Sequence, residues 1–166
     1  MTLNTLKDVL EEQLEDLHSA ETQLVEALPK LAKAAHSEEL REAFEHHLEE
    51  TRGHVQRVEE ALGELGSRPG EVCKGMKGLI AEGEEVIAMD GDPLAKDAAL
   101  IAAAQRVEHY EIAAYGTVRQ LADDLELDGI RDLMDQTLDE ESQADSLLTK
   151  IATGGMFKSG VNERAQ

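Results

Sequence analysis

The sequence predicts an all-α protein in which four long helices form a bundle and a long crossover carries an additional short helix. Composition is the first observation: the 166 residues include three prolines, two Phe, two Tyr and no Trp, while the good helix formers Leu, Ala and Glu are abundant. Apolar residues recur at spacings of three and four over long stretches, as in amphipathic helices. Clusters of Gly and Pro occur at a few places and divide the chain into helical segments.

The first part of the chain predicts a helical hairpin. A first long helix is expected over about 3–36, with Thr2 or Asn4 as its N-cap. Pro29 falls inside the apolar pattern of this helix and predicts a kink or a local break. A serine then offers a new N-cap, and a second long helix is expected over about 37–65. The cluster Gly-Ser-Arg-Pro-Gly ends it.

The second part predicts a crossover and then another hairpin. A short amphipathic segment over about 71–88 lies between two clusters of helix breakers and predicts the additional short helix. Pro93 suits the first turn of a third long helix, expected over about 93–125. Gly129 separates this helix from a fourth, expected over about 130–152.

The long connection between the second and third long helices predicts a ferritin-like four-helix bundle. The segment 66–92 is long enough to return along the bundle, so that the two long helices it joins run parallel. A simple up-down-up-down bundle needs only a short loop there. We therefore expect a ferritin-like helical bundle domain over 1–152 and a loose C-terminal tail over 153–166, where the apolar periodicity is lost.

Charge and composition exclude several classes of function. The net charge of −20 argues against a nucleic-acid partner, because binding to the phosphate backbone depends on clusters of Lys and Arg. No apolar run approaches the roughly 20 residues that a membrane-spanning helix needs, and no signal-peptide pattern is present, so we expect no membrane partner. The single cysteine, Cys73, is consistent with a reducing compartment. These observations predict a cytoplasmic protein.

Two glutamates interrupt the apolar stripes at matching positions ninety residues apart. Glu21 lies in a stripe formed by Leu10, Leu14, Leu17, Leu24, Leu28 and Leu31. Glu111 takes the equivalent place among Leu100, Ala104, Val107, Ala114, Val118 and Leu121. A buried carboxylate is unfavourable unless it is protonated, paired with a lysine or bound to a cation. The repeated register favours the cation.

The second and fourth long helices offer further candidate ligands. Di-metal carboxylate bundles combine one Glu from each of two helices with a Glu and a nearby His from each of the others. Here Glu50 with His54, and Glu141 with Asp145, have the i, i+4 spacing that brings both side chains to one helix face. Glu141 and Asp145 lie near the centre of their apolar stripe and are expected to be buried.

The ligand set on the second helix stays open, because Glu50 falls at the edge of its apolar stripe and His54 can equally be a packing histidine. Glu108, one turn before Glu111, is a further candidate at a stripe edge. Surface or packing roles are expected for the remaining histidines near these positions, namely His46, His47 and His109.

The candidate residues together predict two metal ions. Four to six buried carboxylates without counter-ions repel one another, and two cations would neutralise them. Carboxylates with one or two imidazoles suit iron best, with manganese or zinc as alternatives.

Four stretches of the chain resemble the YciE/YciF family of ferritin-like proteins. They are SAETQL at 19–24, HLEET at 47–51, DAALIAAAQRVEHYEIAAYGT at 97–117 and TLDEE at 137–141. The resemblance implies a ferritin-like bundle with a di-metal centre, often dimeric, that is associated with bacterial stress responses. It supports as ligands Glu21, Glu50, Glu108, Glu111 and Glu141, and it leaves His54 optional. It does not imply a particular reaction.

Two functions follow as hypotheses. The first is a redox protein whose two ions react with dioxygen or peroxide, which would make it a ferroxidase or a peroxide-consuming enzyme. Tyr110 and Tyr115, the only tyrosines, lie near Glu111 and are available to such chemistry, although packing is their more common role. The second is a metal-stabilised helical dimer that acts as a non-catalytic binding or structural protein.

Overall fold

Four long helices form the bundle that the sequence predicts, and a fifth, shorter helix lies in the crossover. The computed structural model describes residues 2–155 and 158–166. In chain order the elements are α1 (Leu6–Ala34), α2 (Glu38–Leu65), α3 (Lys74–Ala88), α4 (Pro93–Asp124), α5 (Asp128–Thr153), β1 (Gly154–Gly155), β2 (Lys158–Ser159) and α6 (Val161–Arg164). None of the helices in these described ranges is long and apolar enough to cross a membrane.

Two separate apolar clusters occupy the two ends of the bundle. The lower core consists of Leu10, Leu14, Leu17, Val58, Ala61, Leu62, Tyr115, Val118, Ala122, Ile130 and Met134. The upper core includes Leu24, Leu28, Ala32, Leu40, Phe44, Leu100, Ile101, Ala104, Leu148 and Ile151. Helices α1 and α5 therefore run from the lower core to the upper one, whereas α2 and α4 run in the opposite direction. The parallel course of α2 and α4 confirms the ferritin-like arrangement.

The crossover makes the parallel course possible. Helix α3 packs against α1 and α4, and its Met76 is buried in the upper core. Cys73 precedes the helix and caps it, because its Sγ accepts a hydrogen bond from the Met76 backbone N–H at 3.3 Å. The Cys73 backbone N–H in turn donates to the Ser19 hydroxyl at 2.9 Å, which attaches the crossover to α1.

A buried aspartate joins the two hairpins at the upper end of the bundle. Asp97, in the first turns of α4, is fully buried. Its two carboxylate oxygens accept hydrogen bonds from the backbone N–H groups of His36 and Ser37 at 2.8 and 2.7 Å. The predicted N-cap at Ser37 has the expected position, but in the part of the chain that the structure describes its side chain makes no capping bond. Asp97 instead accepts from the two backbone N–H groups that precede the first turn of α2.

Three predicted helix boundaries are wrong in detail. Thr5 and Asp8, rather than Thr2 or Asn4, form the capping box of α1. Of the kink or break predicted at Pro29, the break does not occur, because this exposed proline removes only one hydrogen bond while the residues around it are held in the upper core. Gly129 lies within α5, and the chain turns instead just before it, where Glu126 adopts a positive φ of 58°.

The described residues of the predicted tail form regular secondary structure. Gly154–Gly155 pairs with Lys158–Ser159 as a short antiparallel ladder, and α6 then packs against α4 and α5. Its Val161 is fully buried in the upper core. A single apolar anchor in a four-residue helix leaves no periodicity in the sequence, which is why it was missed. Met156 and Phe157, also in the predicted tail, lie outside the described residues.

Replacing Asp97 is expected to weaken the attachment of α4 to the turn between α1 and α2. We expect Asp97→Ala to lower the free energy of unfolding by about 2–3 kcal/mol, since it leaves two backbone N–H groups without their charged acceptor. Urea unfolding followed by circular dichroism measures the change. Asp92→Ala is the matched control, because it removes the same charge from the exposed N-cap of α4 and should cost about 1 kcal/mol. Equal losses in the two variants would contradict a special role for Asp97.

Candidate metal centre

A layer of buried polar side chains separates the two apolar cores. Each of the four long helices contributes to it: α1 gives Glu21; α2 gives His47, Thr51 and His54; α4 gives Glu108 and Glu111; and α5 gives Thr137 and Glu141. All of these residues are 5% exposed or less. The layer lies where each apolar stripe changes from one core to the other, so the bundle itself brings the residues together.

The ionisable residues of this layer form two groups that share one carboxylate. In the His47 group, one ligand atom each from His47, Glu108, Glu111 and Glu141 lie within 4.8 Å of one another. In the His54 group, the same holds for Glu21, His54 and Glu141. Each group has the composition and spacing to hold a metal ion. Because Glu141 belongs to both, the two positions are adjacent.

Each histidine directs one ring nitrogen into the layer. His47 Nε2 lies 3.5 Å from Glu108 Oε1 and 3.6 Å from Glu141 Oε2. His54 Nδ1 lies 2.9 Å from Glu141 Oε1 and 3.5 Å from Glu21 Oε1. These pairs are close, yet His54 Nδ1 and Glu141 Oε1 are not aligned for a hydrogen bond. The inward ring nitrogens and the carboxylate oxygens thus lie close together without forming hydrogen bonds with one another.

The other ring nitrogen of each histidine faces a carboxylate outside the layer. His47 Nδ1 lies 3.4 Å from Glu50 Oε2, and His54 Nε2 lies 2.9 Å from Glu140 Oε2. Metal-binding histidines are commonly oriented in this way, because an outer carboxylate selects the tautomer that presents the free nitrogen inwards. Both histidines therefore have the surroundings of ligands.

Several buried atoms of the layer have no hydrogen-bond partner among the described residues. They are Glu21 Oε2, His47 Nε2, His54 Nδ1, Glu108 Oε2 and both carboxylate oxygens of Glu111 and of Glu141. Buried polar atoms are normally paired, and leaving them unpaired costs free energy. Four carboxylates and two imidazoles are a suitable donor set for two ions such as iron or manganese. The side chains present thus fit a di-metal centre.

Burial and mutual repulsion also shift the pKa values of the ionisable groups in this layer. Burial, together with the charges of Glu141 and Glu21, raises the pKa of Glu111 well above its usual range. Burial likewise raises the pKa values of Glu108 and Glu141. Burial opposes the charged form of His54, but the nearby carboxylates of Glu141 and Glu21 outweigh it and raise its pKa to about 10. The metal-free centre consequently retains protons that ions would displace.

The two tyrosines lie in different surroundings. The Tyr115 hydroxyl donates to Glu21 Oε1, and its ring lies edge-on to His54 with the ring centres 6.2 Å apart. Burial and the charges of Glu21 and Glu111 raise the pKa of Tyr115 well above its usual range. Tyr110 faces the crossover instead, where its hydroxyl donates to Asp16 at 2.6 Å and lies 3.0 Å from the Cys73 sulfur. Only Tyr115 contacts the candidate ligands.

Five of the seven predicted ligands come together in these two groups: Glu21, His54, Glu108, Glu111 and Glu141. Glu50 is half-buried outside both groups, beside His46 and His47. The predicted burial of Asp145 is wrong, since it is half-buried and lies against Gln105 and the exposed His109. Four residues turn a helix by about 400°, so Asp145 lies about 40° from Glu141, at the edge of the buried face.

His47 is the residue that the sequence reasoning missed. The buried face of α2 is Leu40, Phe44, His47, Thr51, His54 and Val58, with spacings of four, three, four, three and four. Leu48 and Val55 are apolar but only half-buried, and including them shifted the apolar stripe predicted for α2 away from its buried face. The regular spacing between Phe44 and Val58 is the signal that identifies His47 as inward-facing.

Comparison with known proteins agrees with this fold and places the chain in a family. A family model described as a domain of unknown function, DUF892, matches residues 5–165. The chain belongs to this family. The protein YciF of Escherichia coli K12 is 43% identical over 165 residues, which span 98% of this chain and 99% of YciF. The resemblance to the YciE/YciF family is therefore confirmed.

Solved structures of relatives have the same architecture. The crystal structure of the E. coli stress protein YciF matches with a TM-score of 0.86 at 45% identity, over 89% of this chain and 94% of that one. YcfI of Rhodopseudomonas palustris, described provisionally as a structural protein, matches with a TM-score of 0.86 at 38% identity, over 90% and 96%. A protein of Xanthomonas campestris, at 20% identity and a TM-score of 0.70 over 88% and 91%, shares the fold.

The raised pKa values predict a metal-free protein that loses stability as the pH rises. A carboxyl whose pKa is higher in the folded state favours folding at low pH, and this contribution is lost above its ordinary range near 4.5. The contribution of His54 is complete below about pH 6.5 and is lost as the pH rises through about 10. Urea unfolding in the presence of a chelator, between about pH 5 and 9, measures the decline.

Removing one buried acid should reduce that decline. We expect Glu111→Gln to stabilise the metal-free protein by about 1–2 kcal/mol at pH 8, because a carboxyl that must either keep a proton or repel its neighbours is replaced by a neutral amide that can donate to them. Glu82→Gln, at an exposed position of α3, should change stability by less than about 0.5 kcal/mol. Destabilisation by Glu111→Gln would mean that this carboxyl supports the metal-free fold.

Proposed function

We propose that this protein is a ferritin-like di-metal carboxylate protein that binds two iron or manganese ions between its four long helices and reacts with dioxygen or peroxide in a stress response. One observation carries the proposal: buried donor atoms without hydrogen-bond partners among the described residues converge on two adjacent positions that share Glu141. Such an arrangement is costly without cations, and two cations relieve it.

The side chains divide between the two positions according to their grouping. Glu141 would serve both ions, Glu21 and His54 would complete one position, and Glu108, Glu111 and His47 would complete the other. Iron or manganese held there would supply the change of oxidation state that reduction of dioxygen or peroxide requires. Glu50 is therefore better assigned to an outer role than to the role of ligand that its spacing with His54 predicted.

The surrounding residues would keep the centre rigid and dry. The lower and upper cores close it above and below with apolar side chains, which exclude bulk water. Tyr115 holds the Glu21 carboxylate through its hydroxyl, and Glu140 fixes the His54 ring through Nε2. Tyr115 is also placed to donate an electron, because it contacts one candidate ligand and packs against another.

A second candidate function is a metal-stabilised helical protein without catalytic activity. Complete burial of Glu21, Glu111 and Glu141 favours it, since ions bound in an enclosed layer would hold the four helices together. The description of the relative YcfI as a structural protein points the same way. The description of E. coli YciF as a stress protein is compatible with either function.

Iron loading in air tests the reaction. We expect protein purified without added metal to bind about two Fe²⁺ per chain and to oxidise them while consuming dioxygen or peroxide. Glu141→Ala should lose at least one ion and lower the rate of oxidation at least about tenfold, because this carboxylate belongs to both groups. Asp145→Ala, one turn further along α5, is the matched control and should retain both ions. Elemental analysis and an oxygen electrode provide the readings.

Two outcomes separate the candidate functions. Binding of iron without any change in its oxidation state, and without consumption of oxidant, would remove the redox function and leave the structural one. An unchanged melting temperature after chelation of the metal would count against the structural function, because ions that bind only the folded state raise its stability. Absence of any metal from the purified protein, and no uptake on addition, would remove both.

We propose a cytoplasmic homodimer as the location and assembly that accompany this function. The location rests on the single cysteine, Cys73, which cannot form a disulfide within the chain. The dimer rests on the resemblance to the YciE/YciF family alone. Light scattering during size-exclusion chromatography tests it, and a mass of 18.1 kDa would identify a monomer.

A further inference from the structure

We propose that a cavity between α2 and α5 is the route by which metal ions enter the centre, and that Glu50 with His46 captures the ion at its mouth. The inference rests on the metal-binding part of the proposed function and adds a path to it. The cavity has a volume of about 230 Å³ and is lined by residues of α2 (Ala43, Phe44, His46, His47 and Glu50), of α5 (Gln143, Ala144, Leu147 and Leu148) and by Glu108 of α4.

The lining residues lead from solvent to the candidate ligands. His46, Gln143 and Leu147 are exposed and form the rim, with 71% of the His46 side chain accessible to solvent. Glu50 lies below the rim with about a quarter of its side chain accessible. His47 and Glu108 are buried at the base. The cavity therefore borders two members of the His47 group.

Potential donors follow one another at short distances along this path. Glu50 Oε2 lies 3.2 Å from His46 Nδ1 and 3.4 Å from His47 Nδ1. The opposite nitrogen of the His47 ring, Nε2, lies 3.5 Å from Glu108 Oε1. His47 Nε2 and Glu108 Oε2 are both buried without a hydrogen-bond partner among the described residues, so two residues at the base of the cavity carry unpaired donor atoms.

The surroundings of His54 differ from those of His47 and indicate from which side the ion enters. His54 also has an outer carboxylate, Glu140, but that carboxylate accepts hydrogen bonds from Arg57 and Gln136. A cation approaching on that side meets the positive charge of Arg57. Glu50, by comparison, adjoins two imidazoles and a cavity, and none of the described arginines or lysines forms an ion pair with it. Of these two sides, the Glu50 side is the one that has both the cavity and a carboxylate without an arginine partner among the described residues.

The chemistry of the path favours a cation over a neutral oxidant. Carboxylate and imidazole groups are ligands for divalent iron or manganese, whereas dioxygen requires no such groups at an entrance. The net charge of −20 raises the concentration of cations around the protein, and a carboxylate in a narrow opening concentrates them further. Apart from Gln143 at the rim, the remaining lining residues, which include Phe44 and Leu148, are apolar and would not retain the ion.

The rate of metal uptake tests this route separately from the capacity of the centre. Co²⁺ serves as the probe, because its visible absorption reports coordination when metal-free protein is mixed with it in a stopped-flow instrument. We expect Glu50→Ala to slow uptake about tenfold, in the range that electrostatic focusing provides, while the final number of bound ions stays the same. Ala144→Phe, which places a large side chain in the cavity wall, should slow uptake as well.

A matched pair on another face provides the control. His18 Nε2 lies 3.2 Å from Glu59 Oε1, so this pair resembles His46 with Glu50 but does not line the cavity. Glu59→Ala should leave the rate of uptake unchanged. An equal reduction by Glu59→Ala would show that general surface charge, and not the cavity, governs entry, and would overturn the proposal.

Three further outcomes also decide against it. Unchanged uptake in both Glu50→Ala and Ala144→Phe would place the route elsewhere. Loss of a bound ion in Glu50→Ala would make Glu50 a permanent ligand. Slower reaction of metal-loaded Ala144→Phe with peroxide, at a normal rate of Co²⁺ uptake, would assign the cavity to the oxidant. Failure of the proposed function looks different, because wild-type protein would then bind no Co²⁺ and Glu141→Ala would have no effect.

Discussion

The repulsion among carboxylates buried at one level of the bundle is the constraint on which the rest of the structure depends. Glu21, Glu108, Glu111 and Glu141 lie within one layer where water is excluded, and two imidazoles alone do not neutralise them. A bundle of apolar helices would be more stable without this layer. The four long helices each contribute to this layer, and the cations that it can hold best explain why it is present. The rest of the fold therefore serves to position a charged centre.

The supporting elements lie on both sides of that layer. The lower and upper cores bury the ends of the helices and compensate for the unfavourable layer between them. Asp97 fixes the start of α4 to the turn between α1 and α2, and α3 covers α1 and α4 in the crossover. These contacts set the heights of the helices relative to one another, and so they determine which side chains share a level. The centre is positioned mainly by residues that do not belong to it.

The two halves of the centre differ most in their outer contacts. Each histidine turns its outer nitrogen toward a glutamate, yet Glu140 is held by Arg57 whereas Glu50 borders a cavity. Burial tends to raise the pKa of each of these outer carboxyls, but hydrogen bonds from Arg57 to Glu140 and from His47 to Glu50 outweigh it, so both remain charged. One side is a closed ion pair and the other is an accessible carboxylate.

Much of the fold could be predicted from the sequence because helical periodicity is a local property. The spacing of apolar residues indicated four long helices, the segment 66–92 indicated the parallel course of α2 and α4, and Glu21 and Glu111 stood out within otherwise apolar stripes. Where the local signal was ambiguous, prediction failed. Because Leu48 and Val55 are apolar but only half-buried, the predicted buried face of α2 excluded His47. The i, i+4 spacing of Glu141 and Asp145 predicted burial of both, but Asp145 is only half-buried.

By itself, then, the sequence determined the helices, their order and the presence of inward carboxylates, since each follows from residues close together in the chain. Only the tertiary structure decided which of those carboxylates meet, because their levels depend on packing between helices. It brought His47 and Glu108 into one group, moved Glu50 to the mouth of a cavity, and anchored the chain end through Val161. The physical reason is that rotation by a few tens of degrees about a helix axis separates a ligand from a surface residue, and neighbouring helices set that rotation.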